Sequence, residues 1–335
     1  MKRLCVSPVL LIAILFLPQG ARAQNSFQET MHHPSRMHHA VVGAAKLDLA
    51  DNPAAQVMTI RVGPVNLPAH ADHMAVAQPH DLYLTIPFDG WLVAFHPRLA
   101  DAAGKALPGK LLHHVGFWNT ARPDFLCPNK SEHIFGAGGE MNDWPAVPGF
   151  GYRVAKGSRI RVSTMFSNST DTAYPKAYLE VRMEYQRDAP DAAVLHSVYP
   201  AWLDVMECRE SGYDLTPGQN VTTGQIMVPY AGLLLGVGGH VHDYGRRLVL
   251  EDATRKTPVA ALDASVDAAG RLISMPVILF PAPGYRLEKG EVMRVTATYD
   301  NPTGKRLTEG AMGIVVGYFL PEDGAPLAAL TRPAK

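Results

Sequence analysis

Two histidines separated by one residue, in Gly238-Gly239-His240-Val241-His242, carry the sharpest chemical signal in the chain. Residues i and i+2 of a strand project from the same face, so His240 and His242 can chelate one ion, and the preceding glycines let backbone or ligand approach closely. The competing reading is a pair of ordinary surface or core histidines. Met312, in Gly310-Ala311-Met312-Gly313, stands at the head of a later strand among small residues, where its thioether would complete a set of two imidazoles and one sulfur. So soft a donor favours copper over zinc, whose sites take imidazole, thiolate or carboxylate. The alternative is a methionine that simply packs a core. A second pair lies in Leu111-Leu112-His113-His114-Val115. Adjacent strand residues point to opposite faces, so one ion reaches both only where the strand is bulged or ends; otherwise one histidine is buried and the other exposed.

The remaining histidines carry less. Met31-His32-His33-Pro34-Ser35-Arg36-Met37-His38-His39 and His70-Ala71-Asp72-His73-Met74 mix imidazole with thioether, as a mobile copper-scavenging arm would. The first group reads more simply as a solvated tail. His80, His96, His133 and His196 have no partner at ligand spacing and read as structural. Other chemistries lack their motifs: there is no G-x-S-x-G, P-loop, dinucleotide fingerprint, H-E-x-x-H or C-x-x-C. Gly136-Ala137-Gly138-Gly139 has no helical pattern after it and so is not a phosphate loop.

The elements that must position these groups read as strands. Segments such as Met58-Thr59-Ile60-Arg61-Val62, Arg159-Ile160-Arg161-Val162 and Arg294-Val295-Thr296-Ala297-Thr298 alternate or are β-branched, among 27 prolines and 29 glycines. Turn signals recur at Gly104, Gly157, Gly218, Gly270, Gly284 and Gly290, and no long stretch has helical periodicity. The expectation is an all-β chain of two antiparallel, jelly-roll-like β-sandwich domains in tandem.

Met1-Lys2-Arg3, the apolar run Val9 to Leu17 and Ala21-Arg22-Ala23 form a secretory signal peptide, and no later apolar run is long enough to span a bilayer. Expected boundaries are signal peptide 1–23, His-rich mobile leader 24–46, N-terminal sandwich 47–187, linker 188–197, C-terminal sandwich 198–321 and tail 322–335. Removing the signal takes Lys2, Arg3 and Arg22 and no acid, moving the formal charge from 0 to −3. So weak a charge argues against nucleic-acid or anionic-membrane partners. Cys5 is lost with the signal; Cys127 and Cys208 remain, in a compartment that permits a disulfide, as one bridge or as two buried thiols.

In order, the two histidine motifs, their strand contexts and the methionine resemble the copper type II, ascorbate-dependent monooxygenases, the family of peptidylglycine alpha-hydroxylating monooxygenase and dopamine beta-hydroxylase. The resemblance spans about residues 55 to 321. It rests on Leu111-Leu112-His113-His114-Val115, Pro148-Gly149-Phe150-Gly151-Tyr152-Arg153-Val154, His240-Val241-His242-Asp243-Tyr244-Gly245, Ala297-Thr298-Tyr299-Asp300-Asn301, Gly310-Ala311-Met312-Gly313 and Gly317-Tyr318-Phe319. It implies an electron-transfer copper on His113, His114 and a third donor in the first sandwich. An oxygen-activating copper would sit on His240, His242 and Met312 in the second. Where the family has its third histidine, this chain has Met165; His133 is the alternative donor, and an unused site is the other outcome. A thioether there would favour Cu(I) and weaken the site as an electron donor. The implied activity is copper-dependent hydroxylation of a C–H bond of a small-molecule substrate with O2 and an external reductant such as ascorbate. Two rivals stand beside it: an exported copper-binding or copper-trafficking protein without turnover, and an extracellular binding module with zinc or no metal.

Overall fold

The computed structural model describes residues 44–331. The expected signal peptide, the leader up to residue 43 with its Met31 to His39 group, and residues 332–335 of the tail lie outside the described residues. The rest is all-β but for short turns of helix. The first half supplies β1 (Lys46–Asn52), β2 (Val57–Leu67), β3 (Leu82–Thr85), β4 (Gly90–Ala100), β5 (Leu112–Pro123), β6 (Ser131–Gly138), β7 (Phe150–Val154), β8 (Arg159–Phe166) and β9 (Tyr174–Arg187). They pair as β1-β2-β9-β4-β7 and as β3-β8-β5-β6. One core, from Met58 and Ile60 to Phe117, Val162 and Val181, draws on both sheets.

The second half repeats the plan with β10 (Tyr199–Asp204), β11 (Gly218–Met227), β12 (Gly232–Val241), β13 (Gly245–Asp252), β14 (Thr257–Asp263), β15 (Val277–Leu279), β16 (Val292–Asn301) and β17 (Gly313–Pro321). These pair as β10-β17-β12-β15 and β11-β16-β13-β14, around a core that includes Leu203, Val237, Leu250, Val295 and Phe319. In β16 the alternation is complete: Met293, Val295, Ala297 and Tyr299 are buried, while the residues between them are half-exposed. Each large apolar side chain so buried contributes about 1.5–3 kcal/mol. The principal strands pair antiparallel; a short segment, His196–Ser197, runs parallel to Phe150–Gly151 and straps the end of the expected linker to β7.

The β5–β6 connection crosses from one core to the other. Phe125, Leu126 and Cys127 pack in the second core, and Cys127 is disulfide-bonded to Cys208 with an S–S distance of 2.08 Å. Buried Asp124 shapes this loop by accepting the N–H groups of Leu126 and Cys127 at 2.9 and 2.8 Å, and burial pushes its carboxyl up to about 7. A bridge across 81 residues removes much of the unfolded chain's freedom, worth about 4–5 kcal/mol on loop-entropy grounds. We expect Cys208→Ser, or reduction, to lower the unfolding free energy by several kcal/mol. A denaturation midpoint unmoved by reductant would contradict this.

Candidate metal centre

His113 and His114 reach one side of their sheet through an irregularity: the pairing of β5 with β8 slips between Leu112 and His114. A slip of this kind lets neighbouring side chains escape strict alternation. The two Nδ1 atoms lie 2.8 Å apart and the rings meet edge to face at 4.8 Å. Two nitrogens each about 2.0 Å from one ion, at about 90–110°, are about 2.8–3.3 Å apart. The spacing therefore suits a shared ion as well as it suits a hydrogen bond.

His240 lies on β12, and His242 is the first residue beyond its end. The chain then turns into β13, with the Gly245 N–H donating to the His242 carbonyl at 3.1 Å and the Tyr244 N–H to Gly270 at 2.7 Å. Asp243 accepts the Leu272 N–H at 2.9 Å and the Arg271 guanidinium at 3.0 Å. From inside the core, the fully buried Tyr299 hydroxyl accepts the His242 N–H at 2.9 Å and the Met312 N–H at 3.1 Å, and donates to the Met312 carbonyl. One phenol thus fixes the backbone at both residues. The β12–β17 ladder ends at Val241 and Gly313, leaving His242 and Met312 just past it.

The two expected ligand sets meet. One ligand nitrogen each from His113, His114 and His242 lies within 4.8 Å of the others, with the His113 and His242 rings 4.6 Å apart. Donors on one ion are at most about 4 Å apart at bond lengths of about 2 Å, so a closure of about 1 Å lets all three share it. His240 stands 5.4 Å from His242, ring to ring, and its Nδ1 is 3.0 Å from the buried Glu140 carboxylate. The Nε2 atoms of His240 and His242 are buried and make no hydrogen bond. An imidazole with one nitrogen anchored to carboxylate and the other bare has the form of a metal-ligating histidine with its orienting partner. The donor set, three imidazoles with thioethers nearby in sequence and register, fits copper.

Close approach at this seam is allowed by glycine. A Cβ on Gly138 would lie 2.6 Å from the His240 ring and 2.7 Å from the Glu140 carboxylate, and one on Gly136 would lie 2.7 Å from Trp202. Asn142 locks the contact by donating to the Gly239 carbonyl at 2.7 Å. The Gly136 to Gly139 run, unhelpful as a phosphate loop, is here the surface that receives β12 and β10.

Burial, and then the charge that protonated His73 and His240 would bring, hold His113 down to about 3. Burial and the neighbouring imidazoles hold His242 well below the usual range. Both are neutral, with lone pairs available, at any ordinary pH. For His240, burial lowers the value, but the Glu140 carboxylate outweighs it and the imidazole sits above its ordinary range.

Met165 pairs with His114 across β5 and β8, so the two share a face of the sheet. His133 sits elsewhere, sandwiched between Trp118 and Trp202 at ring distances of 4.7 and 4.0 Å. His96 is held by Asp143 and Glu184. The His70 to Met74 segment is no mobile arm: Ala71 is buried and bridges Asn168, and the His73 ring is 4.8 Å from that of His113. Glu140 and Tyr299 are partners that local sequence patterns do not identify, whereas His73 belongs to the His70 to Met74 group that its mix of imidazole and thioether marks.

No protein-family model matches the chain. Among curated proteins it is 25% identical over 247 residues to the "Probable copper-dependent oxygenase M1" of Phoma sp., covering 66% of this chain and 60% of that protein. It is 23% identical over 235 residues to the "Probable copper-dependent oxygenase clz3" of Cochliobolus lunatus, covering 63% and 72%. The chain therefore matches about three fifths of the Phoma protein's length. At this low identity the two relatives support a link to copper oxygenases. The likeness to the solved structure of the infectious bursal disease virus VP2 subviral particle is weak, at TM-score 0.25 and 9% identity over 89% of this chain and 77% of that one.

Two outcomes follow from the geometry. Tyr299→Phe leaves two N–H groups and a carbonyl without their buried partner and should cost about 2–4 kcal/mol in denaturant unfolding; a loss under about 1 kcal/mol would mean that the phenol does not pin the two segments. As pH falls below 6.5 the unfolded chain protonates at residue 113 while the native chain does not until about 3, so stability drains away across that window. His113→Asn should therefore gain about 3 kcal/mol on the unmodified chain between pH 7 and pH 4. Parallel stability–pH curves would show that His113 is not held neutral.

Proposed function

We propose that the chain is an exported copper-dependent monooxygenase that hydroxylates a C–H bond of a small molecule with O2 and an external reductant, ascorbate being the reductant that the family resemblance suggests. The observation that carries the reading is that the His113–His114 pair and His242, far apart in sequence, come within 4.8 Å of one another, so that the two expected ligand sets lie side by side. Bound copper would supply oxygen activation, a chemistry that side chains alone lack. The protein's part is positional. His240, His242 and Met312 would hold the oxygen-activating ion, and His113 and His114, with a further donor, the electron-transfer ion. Glu140 would keep the proton of His240 on Nδ1 and so leave Nε2 free to ligate. Burial would keep His113 and His242 unprotonated, so that a proton does not compete with the ion.

Export is supported by the Cys127–Cys208 disulfide, which persists in oxidising compartments. Among the described residues no helix is long and apolar enough to cross a membrane. The second reading, a copper carrier without turnover, draws its support from Met165, which stands where the resemblance calls for an imidazole.

Metal analysis of the purified protein, with oxygen uptake measured in ascorbate, separates the readings. Copper together with uptake that His242→Ala abolishes is the expected result. Full copper occupancy with no uptake across several reductants identifies a carrier. A protein that binds no copper overturns both.

A further inference from the structure

Resting on the copper reading, we propose that His73 is the third imidazole of the His113–His114 site, in the place the family resemblance gives to Met165. The argument begins with how the loop between β2 and β3 is built. Asp72 accepts the N–H groups of Met74 and Ala75 at 3.0 and 2.9 Å, closing a tight turn around His73. Just before it, Ala71 pairs with the fully buried Asn168, whose N–H donates to the Ala71 carbonyl at 2.6 Å. The Asn168 amide also donates to the carbonyls of Leu67, Pro68 and Thr172 at 3.1, 2.8 and 2.8 Å, tying the start of the loop to the segment that follows β8 in the chain.

Gln78 makes the decisive connection. Its amide nitrogen donates to the carbonyls of His73 and Phe166, at 2.7 and 2.8 Å, and its amide oxygen accepts the Phe166 N–H at 2.8 Å. Phe166 is the neighbour of Met165, so a single side chain fastens His73 to the end of β8 where the third donor is sought. The result is an imidazole 4.8 Å, edge to face, from the His113 ring; His242, which groups with His113 and His114 within 4.8 Å, is in this assignment left to the ion of His240 and Met312.

An imidazole at this point changes the chemistry. Two imidazoles and a thioether favour Cu(I), whereas three imidazoles accept both Cu(I) and Cu(II) and suit an ion that must give up an electron and regain it. Met165 would then be a buried strand residue beside His114, a role ordinary for methionine. The departure from the family pattern would be a relocation of the third donor from β8 to the adjoining loop, with the three-histidine set preserved.

The test uses the full exported chain, loaded with copper and compared with His73→Ala, His73→Phe, Met165→Ala and His113→Ala, with thermal unfolding run on each. Copper bound per chain at fixed free copper is one readout; nitrogen and sulfur scattering at the metal by X-ray absorption is the other. Both His73 variants should weaken one of two coppers by about tenfold or more, at least what loss of an orienting partner costs. Met165→Ala should bind within about twofold of the unmodified chain, and His73→Phe keeps the packing should the alanine variant unfold. If His113→Ala loses a copper and neither His73 variant does, or if Met165→Ala matches His113→Ala, the assignment of His73 is overturned while the copper reading stands. If His113→Ala also retains full copper, the site itself is absent and the assignment falls with it.

Discussion

The arrangement depends on the contact between β12 and the β5–β6 hairpin, where two hydrophobic cores come edge to edge. His113 and His114 belong to a strand of the first core, His240 and His242 to a strand and turn of the second, and neither pair by itself makes a three-donor set. What joins them is a short list of interactions: Glu140 on His240, Asn142 on the Gly239 carbonyl, and the bare backbone at Gly136 and Gly138. The two glycines are intolerant of added volume. A Cβ at Gly138 would occupy the space of the His240 ring, so a side chain there must push β12 away and open the donor set. The Cys127–Cys208 bridge reinforces the joining of the two cores, because the loop that carries Cys127 leaves a strand of the first and packs in the second.

Within that seam the sheets supply rigidity and the irregular residues supply aim. Regular strands would point His113 and His114 to opposite faces and carry His242 along with His240. The slip at Leu112–His114 defeats the first rule, and the end of β12 before His242 releases the second. The freed backbone is then recaptured. Tyr299 holds His242 and Met312, Asp243 holds Leu272 and Arg271, and Gln78 holds the loop of His73. Groups positioned this way lose little freedom on binding a ligand, which is the energetic advantage of preorganisation.

The fold was legible where local chemistry decides it. All six glycines read as turns have positive φ, Gly157 at 84° and Gly270 at 79° among them, and the alternating segments of β2, β8 and β16 are strands. The all-β class followed from those local choices. Of the candidate donors, His113, His114, His240 and His242 stand out by spacing as two pairs, which the family resemblance places on two ions; spacing gives no sign that the pairs are neighbours. It could not show that the ends of β5 and β12 abut, because that is a property of tertiary packing. Glu140 and Tyr299 escaped for a related reason: an isolated acid or phenol carries no pattern, and its role appears only when a strand from elsewhere in the chain is laid beside it. His73 stands out for its company, but a polar, histidine-bearing loop reads as mobile, and it is Asn168 and Gln78 that hold this one in place.

Histidine burial by itself would prove little, and the chain contains its own control. His133 is as deeply placed as His242, and burial lowers both far below the ordinary imidazole value. His133, however, lies between two indoles, with a ring distance of 4.0 Å to Trp202, and gives dispersion and stacking energy to the packing around it. His242 has its backbone fixed by Tyr299, its ring set among those of His113, His114 and His240, and its Nε2 buried without a hydrogen bond. A buried polar atom left so costs about 1–3 kcal/mol, and His240 adds a second. Against a total stability of about 5–15 kcal/mol that is a large standing cost. A neutral imidazole nitrogen with its backbone fixed and other imidazoles beside it is a group that fits a copper ion.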